Sequence, residues 1–415
     1  MMLALALAAY AGTADLSDAA SVNLRTMTAT PASVDLIMSP AARASVTDRR
    51  WELTASYAPL LYLTDVERGE AASAYILNGA SLLTAWHDRL VRIHASEDAS
   101  FGRQNTTYLG LPSQPASASS PGPAPTSPAM QLVPAQSTAL DLASSRTTVG
   151  SDLRLSRRLQ LALNIGYALF GGTDAVSQQT LPLQEGPFAN ASAFYLLSRA
   201  DTLLVNASAS VNDTERAPCP TFVLTAPPPA MSAARSVPTC APDDLIASSS
   251  AGIVHDFTQA TTGAVGAGAS FVRSRLNPTD GYDSSVFPTG IASLQHVFAL
   301  EEQPTTLHVD AQLGPFVDLR TGIPAYRVQA NLSLSRHAGQ VVLTELLGAY
   351  RSFGSILLPP ATYWLSNTTV EYRATRNVSL LGSFNCVVEA QDGLATFLAT
   401  ITTLSVVVRT SPARF

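Results

Sequence analysis

The sequence predicts an all-β protein: a closed antiparallel transmembrane β-barrel of about sixteen strands, with about twelve or fourteen as alternatives. Three observations lead there. Apolar and polar residues alternate with period two over many segments. Those segments run to ~10–14 residues, against ~5–6 for ordinary strands. Short connections also take turns with long ones. Composition agrees: the 415 residues are 46% hydrophobic but only 13% charged, where soluble domains carry about 25% charged residues. There is no apolar run of the roughly 18 residues that a membrane helix needs. A strand that meets lipid with alternate residues gives this combination. The chain has no lysine, so a coding bias acting on a large soluble β-protein is the bland alternative.

Taken in order, "MMLALALAAYAGTADLSD" opens with an apolar run and then small residues, which predicts a secretory signal peptide over 1–14. Cleavage would follow Ala11 or Ala14; a charged leader end is missing. Residues 15–415 then form a single barrel. A strand near 20–30 begins the set, and Trp51–Leu63 with Ser81–Ser96 reads as a hairpin. The stretch 113–136 is Pro/Ser-rich, cannot bury a core and reads as a loop rather than a linker, because strands flank it.

The alternation is clearest in "SRRLQLALNIGYALFGG". Leu159, Leu161, Leu163, Ile165, Tyr167 and Leu169 share one face, and Gln160, Asn164 and Gly166 the other. Alone, this fits a soluble core as well as lipid. Length decides, since a tilted membrane strand needs about 9–11 residues and a soluble sandwich rarely sustains many strands this long. Further hairpins turn near 200, 259, 303, 338 and 376. The connection at 213–244 is long and reads as an outer loop. Tyr167, Phe170, Tyr326, Tyr350, Tyr363, Trp364 and Tyr372 fall near strand ends, where an interfacial belt would lie.

The chain ends "VVVRTSPARF". With this terminal aromatic it resembles Gram-negative outer-membrane β-barrel proteins, over about residues 20–415 and as architecture rather than as an alignable motif. "RRWELTASYAPLLYL" followed by "TAWHDRLVRIHASED" also resembles uncharacterised barrels of myxobacterial type. Pro412 and Arg414 depart from the alternation expected of a closing strand. The resemblance implies insertion by the barrel assembly machinery into outer-membrane lipids, a porin-like passive channel for small solutes, and no cofactor. Both termini would be periplasmic.

About sixteen strands would enclose an aqueous lumen. His308, Asp310, Arg327, Arg351, Glu371 and Arg373 are the candidate lumen-lining charges, with Glu345 on a mixed face. The alternative for each is a structural ion pair between neighbouring strands, such as Arg327 with Glu371. Cys219 and Cys240 bracket a Pro-rich segment. They suggest a disulfide in an oxidising compartment, or else two free thiols.

Other chemistry is poorly supplied. His87, Asp88, His94 and Ser96 cluster in sequence, but on one strand the two histidines would face opposite ways. Nothing matches a nucleophile elbow, a P-loop, a dinucleotide fingerprint or a metal-binding His pair, so no enzyme and no metal site is expected. The net charge of −6 argues against nucleic acid. Asn-X-Ser/Thr triplets fall mid-strand, as residues wetting a lumen would. The rival readings are a closed barrel serving as adhesin, structural or assembly protein, and a soluble β-sandwich.

Overall fold

The computed structural model describes residues 12–27, 30–65, 73–105, 139–215, 217–218, 239–300, 303–318, 322–353, 360–391, 396–409 and 413–414. Eighteen antiparallel strands close one sheet on itself. They are β1 (Gly12–Met27), β2 (Thr30–Met38 continued by Ala41–Thr47) and β3 (Trp51–Tyr57 continued by Leu60–Thr64). Then come β4 (Ser73–His87), β5 (Val91–Asn105), β6 (Ala139–Arg154), β7 (Leu159–Gly172), β8 (Leu183–Leu196) and β9 (Asp201–Glu215). The next are β10 (Asp243–Thr258), β11 (Thr261–Arg275), β12 (Asp283–Leu300), β13 (Gln303–Val317) and β14 (Pro324–Ala338). The set ends with β15 (Val341–Phe353), β16 (Ala361–Arg373), β17 (Val378–Gln391) and β18 (Phe397–Arg409). One short helix, α1 (Ala175–Thr180), follows β7.

Closure is made by β1 against β18, from Ser17 opposite Arg409 to Met27 opposite Ala399. No backbone edge is then left for lipid, which cannot satisfy one. Among the described residues no helix is long and apolar enough to cross a membrane.

The count exceeds the expected sixteen because two features blur the first hundred residues. Pro40 and Pro59 lack the N–H a ladder needs, and β2 and β3 are interrupted there. Neighbouring bonds hold the register through both breaks: the Ser39 and Ala19 backbones bond each other, and Ala58 N–H donates to Gly79 O. Ser81–Ser96, expected as one strand, contains a tight turn in which Asp88 N–H donates to Val91 O.

Connections alternate in kind. Tight turns lie at one end of the barrel, together with the first residues of β1 and the last of β18. Several are built alike, on a hydroxyl that accepts from two backbone N–H groups. Ser156 accepts from Arg158 and Leu159, Ser198 from Ala200 and Asp201, and Thr375 from Asn377 and Val378. Such hydroxyl turns reverse the chain without glycine. The longer connections lie at the other end, as does the two-residue link between β1 and β2. The stretch 113–136 lies outside the described residues. Of 213–244, a short ladder is described, Ala217–Pro218 against Thr239–Cys240.

Candidate functional site: the inner wall

Direct cross-strand partners share a face, so register carries the two faces around the whole barrel. One face holds Val22, Leu24, Ile76, Leu163, Ile165, Val265, Val286 and Leu404, all exposed. Ile165 keeps 62% of its surface and Val286 70%, which in a barrel marks the surface that meets lipid. The other face is the inside. Gln184 on β8 donates to Asp318 O after β13, five strands away. A bond across that span passes through the lumen.

The inner face is polar in long runs. On β9 it shows Asn206, Ser208, Ser210, Asn212 and Thr214, and on β10 Asp244, Ser248 and Ser250. Asn164 and Gln160 of β7 also point inward.

On β13–β17 the inner side chains form a laddered wall. Asn331 Nδ2 donates to Asp310 Oδ2 at 2.8 Å, and Tyr350 OH donates to Asn331 Oδ1 at 3.2 Å. His308 Nε2 stands 3.6 Å from Asp310 Oδ1. Gln329 Nε2 donates to Gln312 Oε1 at 3.1 Å, and Tyr363 OH to Glu389 Oε1 at 3.0 Å. Asn367 donates to Asn385. The Arg327 guanidinium lies 4.5 Å from the Phe316 ring centroid and 5.9 Å from that of Tyr350, cation–π range for both. Nearer the tight turns, Arg373 Nε is 3.5 Å from Glu371 Oε1.

On β6–β9 the inner wall is covered instead. Leu140 and Leu142 point inward and pack with Leu181, against Phe170. Leu181 follows α1, so the segment between β7 and β8 folds back over the inside. Asp174 caps α1 by accepting from Val176 and Ser177 N–H at 2.8 and 2.9 Å. Those bonds, with one from Ser177 Oγ, hold its carboxyl below the usual carboxylate range. Ser177 Oγ in turn accepts from Asp141 N–H, tying the helix to β6. The second cover comes from Asp318, Gly322 and Ile323. Gly322 has φ +66°, and a Cβ there would meet Thr214 Oγ1 at 2.4 Å, so only glycine lets this turn seat on β9. Deeper on the same wall, Arg146 lies 4.4 Å over the Phe188 ring. His94 Nε2 and Asn164 Oδ1 are 3.1 Å apart.

Of the charges expected to line the lumen, the register puts His308, Asp310, Arg327, Glu371 and Arg373 on the inner face. Arg351 is a correction: it stands opposite Val328 and Thr362 on the outer face, while Tyr350 beside it points inward. Glu345 is also outward, accepting hydrogen bonds from Ser366 and Thr368. The pairing of Arg327 with Glu371 does not fit either. They sit on non-adjacent strands toward opposite ends, Arg327 opposite Ser352 and Glu371 opposite Val342.

His87 and His94 flank the unexpected turn, so both point inward, from β4 and β5. Alternation within each true strand would have revealed this. Of the expected aromatic belt, Tyr167, Tyr326, Trp364 and Tyr372 are outward, and Phe170, Tyr350 and Tyr363 inward. Cys240 is disulfide-bonded and Cys386 is free; Cys219 lies outside the described residues. Among the described residues no group of three His, Cys, Asp or Glu is placed to hold a metal.

Comparison with known proteins gives a family and an architecture. The profile of the EpsX exopolysaccharide export family matches residues 3–221. No curated protein matches the sequence. Among solved structures, Pseudomonas aeruginosa OpdK with vanillate is 10% identical, with 96% of this chain and 99% of that chain covered and a TM-score of 0.47. The OpdO structure from the same organism is 9% identical, with a TM-score of 0.47 over 96% and 98% of the two chains. The FrpB iron transporter of Neisseria meningitidis is 9% identical with a TM-score of 0.50. That match covers 92% of this chain and 62% of that one, and the likeness is one of fold.

Proposed function

The chain belongs to the EpsX exopolysaccharide export family, and on that premise we propose that it is an outer-membrane channel through which hydrophilic solutes pass passively. One observation carries this reading: an eighteen-strand closed ladder that is apolar outside and polar inside. Barrels of about 16–18 strands leave an aqueous channel, whereas about eight strands are filled by their own side chains. The family's name suggests the solute, a polysaccharide chain leaving the cell.

In this reading the tight turns and both termini are periplasmic, and the longer connections face outward. A leader cleaved after Ala11 would leave β1, which starts at Gly12, whole. A Cys219–Cys240 bridge would tie the long outer loop. It is supported by the disulfide at Cys240 and by the ladder that holds Thr239–Cys240 beside Ala217–Pro218. The wall of β13–β17 would supply the hydrogen-bonding track. Asp310, Arg327, Glu371 and Arg373 mix both signs, so strong selectivity for small ions is not expected.

Reconstitution into planar bilayers tests the channel. Discrete conductance steps are expected from protein that migrates heat-modifiably and fractionates with the outer membrane. A correctly folded barrel that leaves the bilayer silent would replace the channel with a plugged surface or assembly barrel.

A further inference from the structure

Four consecutive tight turns, those joining β2–β3, β4–β5, β6–β7 and β8–β9, carry exposed arginines at one end of the barrel. The clearest are Arg50, Arg89, Arg157, Arg158 and Arg199. Among the described residues none of these guanidiniums is in an ion pair. Asp48 and Asp88 share two of the turns and offset part of the charge. Arginine stays protonated at any working pH and is weakly hydrated, which suits it to carboxylates, sulfates and phosphates. At the other end the inner wall carries carboxylates: Asp283, Asp318 and Glu389. Arg327 at that end and Glu371 at the arginine end run the other way, but the excess charge still differs in sign between the two ends.

Resting on the channel reading, we propose that this crescent is a capture site for anionic chains, so that the transported polymer is acidic. A polyanion meeting several guanidiniums at once gains from each, although a single surface pair contributes little. The carboxylates farther along disfavour holding it there, and conduction needs this balance of favourable arrival and easy departure.

The test is single-channel recording in 0.1 M KCl with sodium hexametaphosphate added to one side at a time. Block from one side only is expected. It should fade at 1 M KCl, where the screening length drops from about 10 Å to about 3 Å. In R89Q/R157Q/R158Q/R199Q the half-blocking concentration should rise on the order of ten-fold, with conductance at 1 M KCl unchanged. R157Q/R158Q alone should give an intermediate shift, and it serves if the quadruple variant inserts poorly. Equal block from both sides, or no block of a conducting pore, overturns the capture site while leaving the channel. Unchanged block in the variants also overturns it and points to contacts between these arginines and lipid headgroups. A silent bilayer overturns both readings.

Discussion

Strands β6–β9 and strands β13–β17 follow the same alternation, yet their inner faces are put to different use. On β6–β9 the inward Leu140 and Leu142 bury Leu181, and Thr214 receives Gly322, so folded-back segments lie over the wall. On β13–β17 the inward side chains bond mainly to one another, Asn331 to Asp310 and Gln329 to Gln312. The first wall is covered by segments that fold back over it, and the second is closed over by its own laddered side chains. A barrel can thus set pore width and pore chemistry on separate arcs, and a change on one arc should leave the property of the other alone.

The sharpest break in that division is Leu181→Ala. Removing a buried leucine costs about 2–5 kcal/mol, charged here to the docking of α1 rather than to barrel closure. Conductance should rise while heat-modifiable migration is kept; unchanged conductance would mean the segment does not narrow the pore. Gly322→Ala comes next. It puts a side chain at φ +66° against Thr214, costing on the order of 1–3 kcal/mol. Noisier or wider single channels are expected, and recordings like wild type would separate this turn from the gap.

Asp174→Ala removes the α1 cap, at about 1 kcal/mol, and should loosen the segment as seen by limited proteolysis. The same group gives a pH dependence. Its carboxyl lies below the ordinary range, so the cap's contribution is intact above about pH 4. It is lost only as the pH falls further, through the folded value. Protease sensitivity that already rises near pH 6 would point to another group. Smallest in energy is Arg327→Gln on the laddered wall. It should shift the reversal potential in a salt gradient toward cations with little change in conductance. A change in conductance without a shift would contradict the separation of the two arcs.

How much of this the sequence discloses depends on the range of the cause. Leu159–Leu169 and Gln160–Asn164 declare their faces because alternation is local, and so do Asp310, Arg327 and Glu371. Arg351 is hidden by its own strand: Val341–Val342 and Leu346–Leu347 are adjacent apolar pairs that erase the period. The turn at Asp88–Arg89 is hidden by Leu90 and Val91, which carry the apolar pattern through it. The strand interrupted at Pro40 goes unread although pairing continues across it, whereas Trp51–Leu63 reads as one strand through Pro59. The cover over β6–β9 has no local signature, since Leu181 meets Leu140 and Gln184 meets Asp318 only once distant strands are aligned.

The seam between β1 and β18 sets a condition on how the chain is made. Ser17 meets Arg409, and Thr26 bonds Thr400, across nearly the entire length of the polypeptide. Until the last strand has been synthesised and exported, the first has no partner on that side, and the sheet has two open edges. Such edges recruit other chains, and contacts this distant in sequence form slowly. An unfinished or C-terminally clipped copy is therefore a long sheet with two adhesive margins rather than a slightly smaller pore. The cell must either hold its first strand in reserve until the last arrives or destroy it.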